Sequence, residues 1–186
     1  MDITREQAML LLHEHVSADV LIKHALATEA IMRALAGRLG RDPDRWGITG
    51  LLHDLDFEQT KDSPERHALV AEQWLRETGC DEEMIQAIKA HNAEVLGIER
   101  LSELDLALTA AETMTGMVVT TALVYPDKKL ASVKSKSITK RMKEKSFAQG
   151  VNRDHIMLCE KIGITLPDFA ELSLNAMKNI AEMLDL

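Results

Sequence analysis

Residues 106–126 are the stretch that most limits how this chain can fold. Among mostly apolar and threonine positions, Glu112 is the only side chain there with an ionisable carboxylate or base. The length would suit a membrane-spanning helix, but a carboxylate at the centre is costly in lipid. The stretch is therefore predicted to be a buried core helix. Glu112 then needs a partner, because an unpaired buried carboxylate is expensive.

The rest of the chain also favours helices. Aromatic residues make up only 3% of the 186 residues, and methionine, alanine and leucine are common, a composition more typical of helices than of strands. We predict an all-α fold, a helical bundle in one domain (1–186), and residues 92–101 as a loop. Capping residues and prolines predict helix starts at Thr4, Ser17, Asp42-Pro43, Ser63-Pro64, Asp81, Ser102, Ser137, Asn152 and Pro167.

Charge and cysteine content exclude several classes of protein. The net charge of −8 argues against binding nucleic acid or an anionic membrane over the whole surface. Two cysteines form no disulfide framework and suit a reducing compartment. The N-terminus lacks the charged-then-apolar pattern of a signal peptide. We expect a cytoplasmic protein with neither a membrane nor a nucleic acid as its partner.

Residues 128–145 carry an unusual positive charge, with eight lysines or arginines against one glutamate. This basic segment is consistent with a phosphate-facing wall of a cleft or with a solvated helix face. Lys136, Lys140 and Arg141 are the candidate substrate contacts. No aromatic residues interleave with the basic ones, as stacking on nucleic-acid bases would require. The apolar stripe in the segment after it, 152–186, fits either internal packing or a homodimer contact.

The segment from Gly50 to Glu58 is the candidate centre of a site. It is interpreted as an apolar helix that ends on His53 and is followed by Asp54, Asp56 and Glu58. Acids are unfavourable at a helix C-terminus, which carries partial negative charge. A divalent metal bound by the His-Asp pair would compensate them; a solvated helix end is the alternative.

The spacing of other histidines supports convergence on that pair. His67 and His91 each lie twelve residues from the turn at Gly79, so an antiparallel helix pair places them at the same level. His24 and His53 flank the turn near Arg41 with an offset of about 7 Å at 1.5 Å per residue. Such a histidine and carboxylate set suits Mn, Fe, Zn or Mg rather than a thiolate site. The residues expected to converge are His24, His53, Asp54, His67, His91 and Glu112.

The order of these six residues resembles that of the HD-domain superfamily of metal-dependent phosphohydrolases. The resemblance covers residues 17–125, leaving the basic segment and C-terminal helices (126–186) outside. It implies that one metal is held by His24, His53, Asp54 and Glu112, and a second by His67 and His91 with Asp54 bridging. Two departures stand out: the late acid is usually Asp, and Leu55-Asp56 replaces the common Ile-Gly. The second departure weakens assignment to the cyclic-dinucleotide phosphodiesterase branch.

The resemblance also implies a reaction. The expected activity is hydrolysis of a phosphoester, in a nucleotide or related small phosphorylated molecule, by water activated on one or two divalent ions. Asp54 would orient the nucleophile, and Asp56 or Glu58 would transfer a proton unless they are solvated loop acids. A di-iron oxygenase with the same ligands is an alternative. A non-catalytic metal-binding regulatory module is another.

Overall fold

Helices joined by short turns make up the described part of the chain, residues 3–186 of a computed structural model. No strand occurs among these residues, which confirms the all-α prediction. Short 3₁₀ turns lie at Pro64–Arg66, Leu130–Ser132 and Leu158–Ile162. The helices are α1 (Arg5–His15), α2 (Asp19–Leu39), α3 (Pro43–Leu52), α4 (Phe57–Thr60), α5 (Leu69–Glu77), α6 (Glu82–His91), α7 (Ala93–Leu96), α8 (Glu103–Leu123), α9 (Ser135–Arg141), α10 (Arg153–Met157), α11 (Leu166–Lys178) and α12 (Ala181–Leu184).

Side-chain caps begin five of the predicted helices, including α10, where Asn152 accepts two backbone N–H groups. Thr4 and Ser102 each form a capping box at the start of α1 and α8. Asp42 and Asp81 accept backbone N–H groups at the start of α3 and α6. Gly40 ends α2 in the left-handed conformation, with φ 68°, which costs little for a residue without a Cβ. These boundaries were predictable because capping is a local interaction.

The start of α2 differs from the prediction. Its N-cap residue is Ala18, and no side chain caps the helix. The backbone N–H and hydroxyl of Ser17 both donate hydrogen bonds to the carboxylate of Glu58. Ser17 therefore does not cap this helix: it lies one residue before the N-cap position, and its hydroxyl is oriented towards a carboxylate distant in sequence.

The predicted helix from Ser63 to Thr78 is also interrupted. After one 3₁₀ turn the backbone is extended at His67 and left-handed at Ala68, where φ is 70°. The N–H groups of Ala68 and Ala71 donate hydrogen bonds to the buried carboxylate of Asp56. Left-handed geometry costs about 1–2 kcal/mol for a residue with a Cβ, so these bonds hold a conformation that the local sequence disfavours.

Two short helices also differ from the prediction. Residues 92–101 contain the short helix α7 rather than only loop, and Gly97 ends it at φ 66°. Helix α9 begins at Ser135, two residues before the predicted start at Ser137. Both differences lie in short elements, where single capping residues give a weak signal.

Helix α8 lies at the centre of the molecule, as predicted for residues 106–126. It packs against α2, α6, α10 and α11, and most of its side chains are buried. Among the described helices it alone is long and apolar enough to cross a membrane, but 67% of its most apolar window is buried inside the protein. Its threonines donate hydrogen bonds to carbonyls in preceding turns, as Thr109 does to Asp105 and Thr113 to Thr109.

The close packing of α2 against α3 depends on Gly50. A Cβ there would lie 3.0 Å from the Thr28 carbonyl oxygen and 2.9 Å from Met32 Cγ. We expect Gly50→Ala to destabilise the protein by about 2 kcal/mol through overpacking. Gly37→Ala is the matched control, because a Cβ there meets nothing within 4 Å and alanine favours helix by up to about 1 kcal/mol. Denaturant unfolding of both variants would contradict this prediction if they changed stability equally.

Candidate metal centre

The six predicted ligands come from five parts of the fold. His24 lies on α2, the His53-Asp54 pair at the end of α3, and Glu112 in the middle of α8. His67 lies in the extended segment before α5, and His91 is the last residue of α6. The structure brings all six into one cluster, half-buried apart from fully buried His53.

Asp54 lies between two pairs of histidines. Its Oδ2 atom is 3.4 Å from Nε2 of His53 and 3.7 Å from Nε2 of His24. Its Oδ1 atom is 3.3 Å from Nε2 of His67 and 3.5 Å from Nε2 of His91. One carboxylate thus faces both pairs, each through a different oxygen.

Within each pair the two Nε2 atoms face each other. They are 3.1 Å apart in His24 and His53, and 2.9 Å apart in His67 and His91. Two nitrogens bound to the same ion at about 2.1 Å each lie about 3 Å apart or slightly more. The separations therefore match those of ligands that share an ion.

Two of these rings are oriented by carbonyl oxygens of their own helices. Nδ1 of His53 lies 2.8 Å from the Gly50 carbonyl oxygen, and Nδ1 of His91 bonds the Ile88 carbonyl oxygen. A carbonyl only accepts hydrogen bonds, so both Nδ1 atoms carry the hydrogen and donate it. Each Nε2 therefore turns a lone pair towards the cluster when its ring is neutral.

The other two rings are oriented by side chains. Nδ1 of His67 lies 2.8 Å from Oδ1 of Asp56. Nδ1 of His24 lies 2.9 Å from the Thr115 hydroxyl, which gives its own hydrogen to the Glu112 carbonyl oxygen at 2.6 Å. That hydroxyl can only accept from His24, so this ring too presents Nε2 inwards.

The donor set fits divalent metal ions. Four Nε2 lone pairs that face one carboxylate repel each other unless protons or cations lie between them. The hydrogen bonds that the Nδ1 atoms make to carbonyl, hydroxyl and carboxylate oxygens are typical of metal-bound histidines. Two groups have ligand atoms all within 4.8 Å of one another and could each hold an ion: His24, His53 and Glu112, and Asp54, His67 and His91.

The family comparison agrees with this geometry. A family model described as HD domain matches residues 21–120, more than half of the chain. The chain belongs to the HD-domain superfamily. No curated protein and no solved structure was found to match the chain. HD domains bind divalent metals and are typically metal-dependent hydrolases, and the matched residues include all six members of the cluster.

Burial and mutual charge set the protonation states in this HD domain. Burial lowers the pKa of His53 to about 3, so its ring is neutral at physiological pH. Burial alone would raise the pKa of Asp54, but His53, His67 and His91 outweigh it and hold that pKa well below its usual range. Burial raises the pKa of Glu112, and His91 and His24 oppose this shift only in part. A cation beside Glu112 would favour its ionised form.

The pKa of His67 is shifted in the opposite direction from that of His53. Burial would lower its pKa, but hydrogen bonds to Asp54 and Asp56 raise it to about 9. Without metal the ring therefore holds a proton up to about pH 9, and Nε2 must lose that proton before it can bind an ion. We expect metal binding at pH 7.5 to release about one proton from His67, and affinity to rise with pH until about 9.

Calorimetry of Mn²⁺ binding in buffers with different ionisation enthalpies measures this release. In Asp56→Asn, which removes one of the two carboxylates that raise the pKa of His67, the release should move to lower pH. Heats independent of the buffer at pH 7.5 in the unmodified protein would contradict the prediction.

Asp56 and Glu58 occupy different places from those expected of proton-transfer groups. Asp56 is fully buried, and its two oxygens accept from His67, Ala68 and Ala71. Glu58 accepts hydrogen bonds from Ser17 and Ala18 through both of its oxygens. Asp56 therefore orients a ring of the cluster, whereas Glu58 ties the start of α2 to α4.

No residue of the basic segment is among the described residues that line the two cavities bordering His24. Lys136 and Lys140 are exposed on α9, and the Arg141 guanidinium lies over the Phe147 ring, 4.3 Å from its centroid. This arrangement favours the solvated-face interpretation of the segment.

The larger of these cavities is polar. It measures about 340 Å³ and is lined in part by Glu112, Asn152 and His155. His155 Nε2 bonds Glu94 at 3.0 Å, and Glu94 forms a two-pronged ion pair with Arg100. In the sequence, His155 shares an apolar helix face with Leu158, Cys159 and Ile162, a pattern that does not indicate a site. Its position beside Glu112 depends on how α10 packs against α8, for which no sequence signal exists.

Proposed function

We propose that this HD domain is a metal-dependent phosphohydrolase that cleaves a phosphoester in a small phosphorylated molecule. The single observation that carries the proposal is the position of Asp54. Its two oxygens face two histidine pairs, and all four Nε2 atoms point towards that carboxylate. A shared carboxylate between two nitrogen pairs suits two neighbouring divalent ions, and such pairs are common in phosphoester hydrolysis.

Each residue has a distinct role in this proposal. His24, His53 and Glu112 would hold one ion, and Asp54, His67 and His91 would hold the other, as in the two groups able to bind a cation; Asp54 also faces the first pair of histidines and would contribute to both sites. Divalent ions bound there would lower the pKa of water and neutralise phosphoryl oxygens.

The surrounding residues keep the ligands in place. Asp56 and Thr115 fix the rings of His67 and His24, so that the ligand atoms are oriented before substrate arrives. The polar cavity beside Glu112 gives water and a phosphate group access to the cluster. Substrate positioning is assigned to this cavity rather than to Lys136, Lys140 and Arg141, which line neither cavity.

Removal of metal tests the function directly. We expect chelator-treated protein to release no 4-nitrophenol from 4-nitrophenyl phosphate or bis(4-nitrophenyl) phosphate. Addition of Mn²⁺, Fe²⁺, Zn²⁺ or Mg²⁺, one at a time, should restore turnover with at least one ion. Oxygen uptake without release of 4-nitrophenol under the same conditions would overturn the proposal in favour of oxygenase chemistry.

A further inference from the structure

The second cavity that borders His24 differs in character from the first. It measures about 260 Å³ and lies between α2, α8 and the residues after α11. It shares His24 and Gly116 with the polar cavity. One candidate metal ligand, His24, thus lines both cavities.

The walls of the second cavity, here called the apolar cavity, are almost entirely hydrocarbon. Val20 and Ala27 come from α2 and Val119 from α8, while Leu184 and Leu186 close the remaining side. A polar group placed against these side chains would lose its hydration without gaining a hydrogen-bond partner. An alkyl or aryl group would gain free energy there by leaving water.

The charged side chain in the lining, that of Lys23, is already paired with carboxylates. Lys23 Nζ forms ion pairs with both Asp19 and Asp185. It therefore offers little net charge to a ligand, and no arginine lines the cavity. A polyphosphate chain would find no counter-charge here, which separates this cavity from the phosphate-binding sites of proteins that bind nucleoside triphosphates.

We infer that the apolar cavity is the subsite for an alkyl or aryl group of the substrate, whose phosphate lies at the Asp54 cluster. This inference rests on the proposed phosphohydrolase function and narrows it to hydrophobic phosphoesters. The observation that carries the inference is adjacency: His24 lines the apolar cavity, and the Nε2 atom of the same residue faces His53 and Asp54.

Binding of a series of alkylphosphonates to the Mn²⁺-loaded protein tests the subsite. Methyl- to hexylphosphonate share one headgroup and differ only in chain length. Burial of each methylene should strengthen binding about fourfold until the cavity is filled. We expect hexylphosphonate to bind at least about tenfold more tightly than methylphosphonate, as measured by calorimetry.

Two variants and one control locate the effect. Val119→Phe fills the cavity and should reduce the hexyl-to-methyl affinity ratio to about threefold or less, because the chain is no longer buried. Val20→Asp places a charge at the rim, at a position 73% exposed where folding tolerates it, and should lower the same ratio. Val124→Asp, 53% exposed and outside the lining, should leave the ratio unchanged. If Val119→Phe fails to fold, the hexyl-to-methyl affinity ratio measured in Val20→Asp tests the subsite by itself.

The outcomes separate the subsite from the function. If methylphosphonate binds only with Mn²⁺ but the hexyl compound gains nothing, or the gain survives both variants, the subsite is overturned and the function stands. If the hexyl compound binds through Val119 without any need for metal, its phosphonate does not lie at a metal-loaded Asp54 cluster, and the subsite as proposed is overturned; the phosphohydrolase function is decided separately by metal-dependent release of 4-nitrophenol. Absence of binding by every member of the series overturns the subsite.

Discussion

Asp54→Ala should abolish metal-dependent phosphoester hydrolysis, with a loss on the order of 10³-fold or more. The reason is that one carboxylate faces both histidine pairs, at 3.3–3.7 Å from the four Nε2 atoms. Its removal deletes the only group common to both candidate ion sites and leaves four nitrogens close together without a balancing charge. Steady-state rates at saturating Mn²⁺ and metal content after dialysis measure the two effects.

Asp62→Ala is the matched control for this variant. Asp62 is an exposed acid on the turn after α4, so its loss changes the net charge equally without touching the cluster. Activity and metal content should stay within about twofold of the unmodified protein, because surface substitutions rarely change more. Unchanged hydrolysis in Asp54→Ala would remove Asp54 from the mechanism.

Asp56→Asn should weaken both the fold and the metal site. The Asp56 carboxylate is fully buried, and its oxygens accept from two backbone N–H groups and from Nδ1 of His67. The amide NH₂ group of asparagine would face one of these N–H donors and lose that hydrogen bond. We expect this change to cost about 2 kcal/mol of stability. Loss of the charged partner of His67 should lower metal affinity about 10- to 100-fold.

The stability difference should depend on pH. Burial opposes ionisation of Asp56, but His67 and the N–H group of Ala71 hold its pKa below the ordinary value of 3.8. The folded state therefore binds this proton less tightly than the unfolded state, and the stabilisation is present above about pH 4 and lost below it. Denaturant unfolding of the variant and of Asp62→Asn from pH 3 to 7 measures this. A difference that persisted undiminished at pH 3 would contradict the prediction.

Much of the fold could be predicted from local signals. Capping boxes at Thr4 and Ser102, the Asp42-Pro43 start and Gly40 are interactions within one turn, so they depend little on the rest of the chain. The meeting of His67 and His91 was predicted from equal distances to Gly79. It holds although the predicted helix is broken at His67 and Ala68, because the Nε2 atoms of His67 and His91 still lie 2.9 Å apart.

Other features depended on distant contacts. Asp56 and Glu58 look alike in the sequence, as two acids shortly after a His-Asp pair. One is buried under the segment around Ala68, and the other reaches the start of α2. The basic segment looked equally suited to a phosphate cleft, yet α9 packs against α8 and α11 and leaves its lysines exposed.

By itself, the sequence determined the helical class and the order of the six candidate ligands, because helix periodicity and capping act over a few residues. Only the tertiary structure decided which atoms of those ligands face each other and which acid orients His67. It alone also revealed the two cavities that meet at His24. These properties arise where elements distant along the chain pack together, as α8 does against α2 and α6, and helix periodicity and capping do not specify that packing.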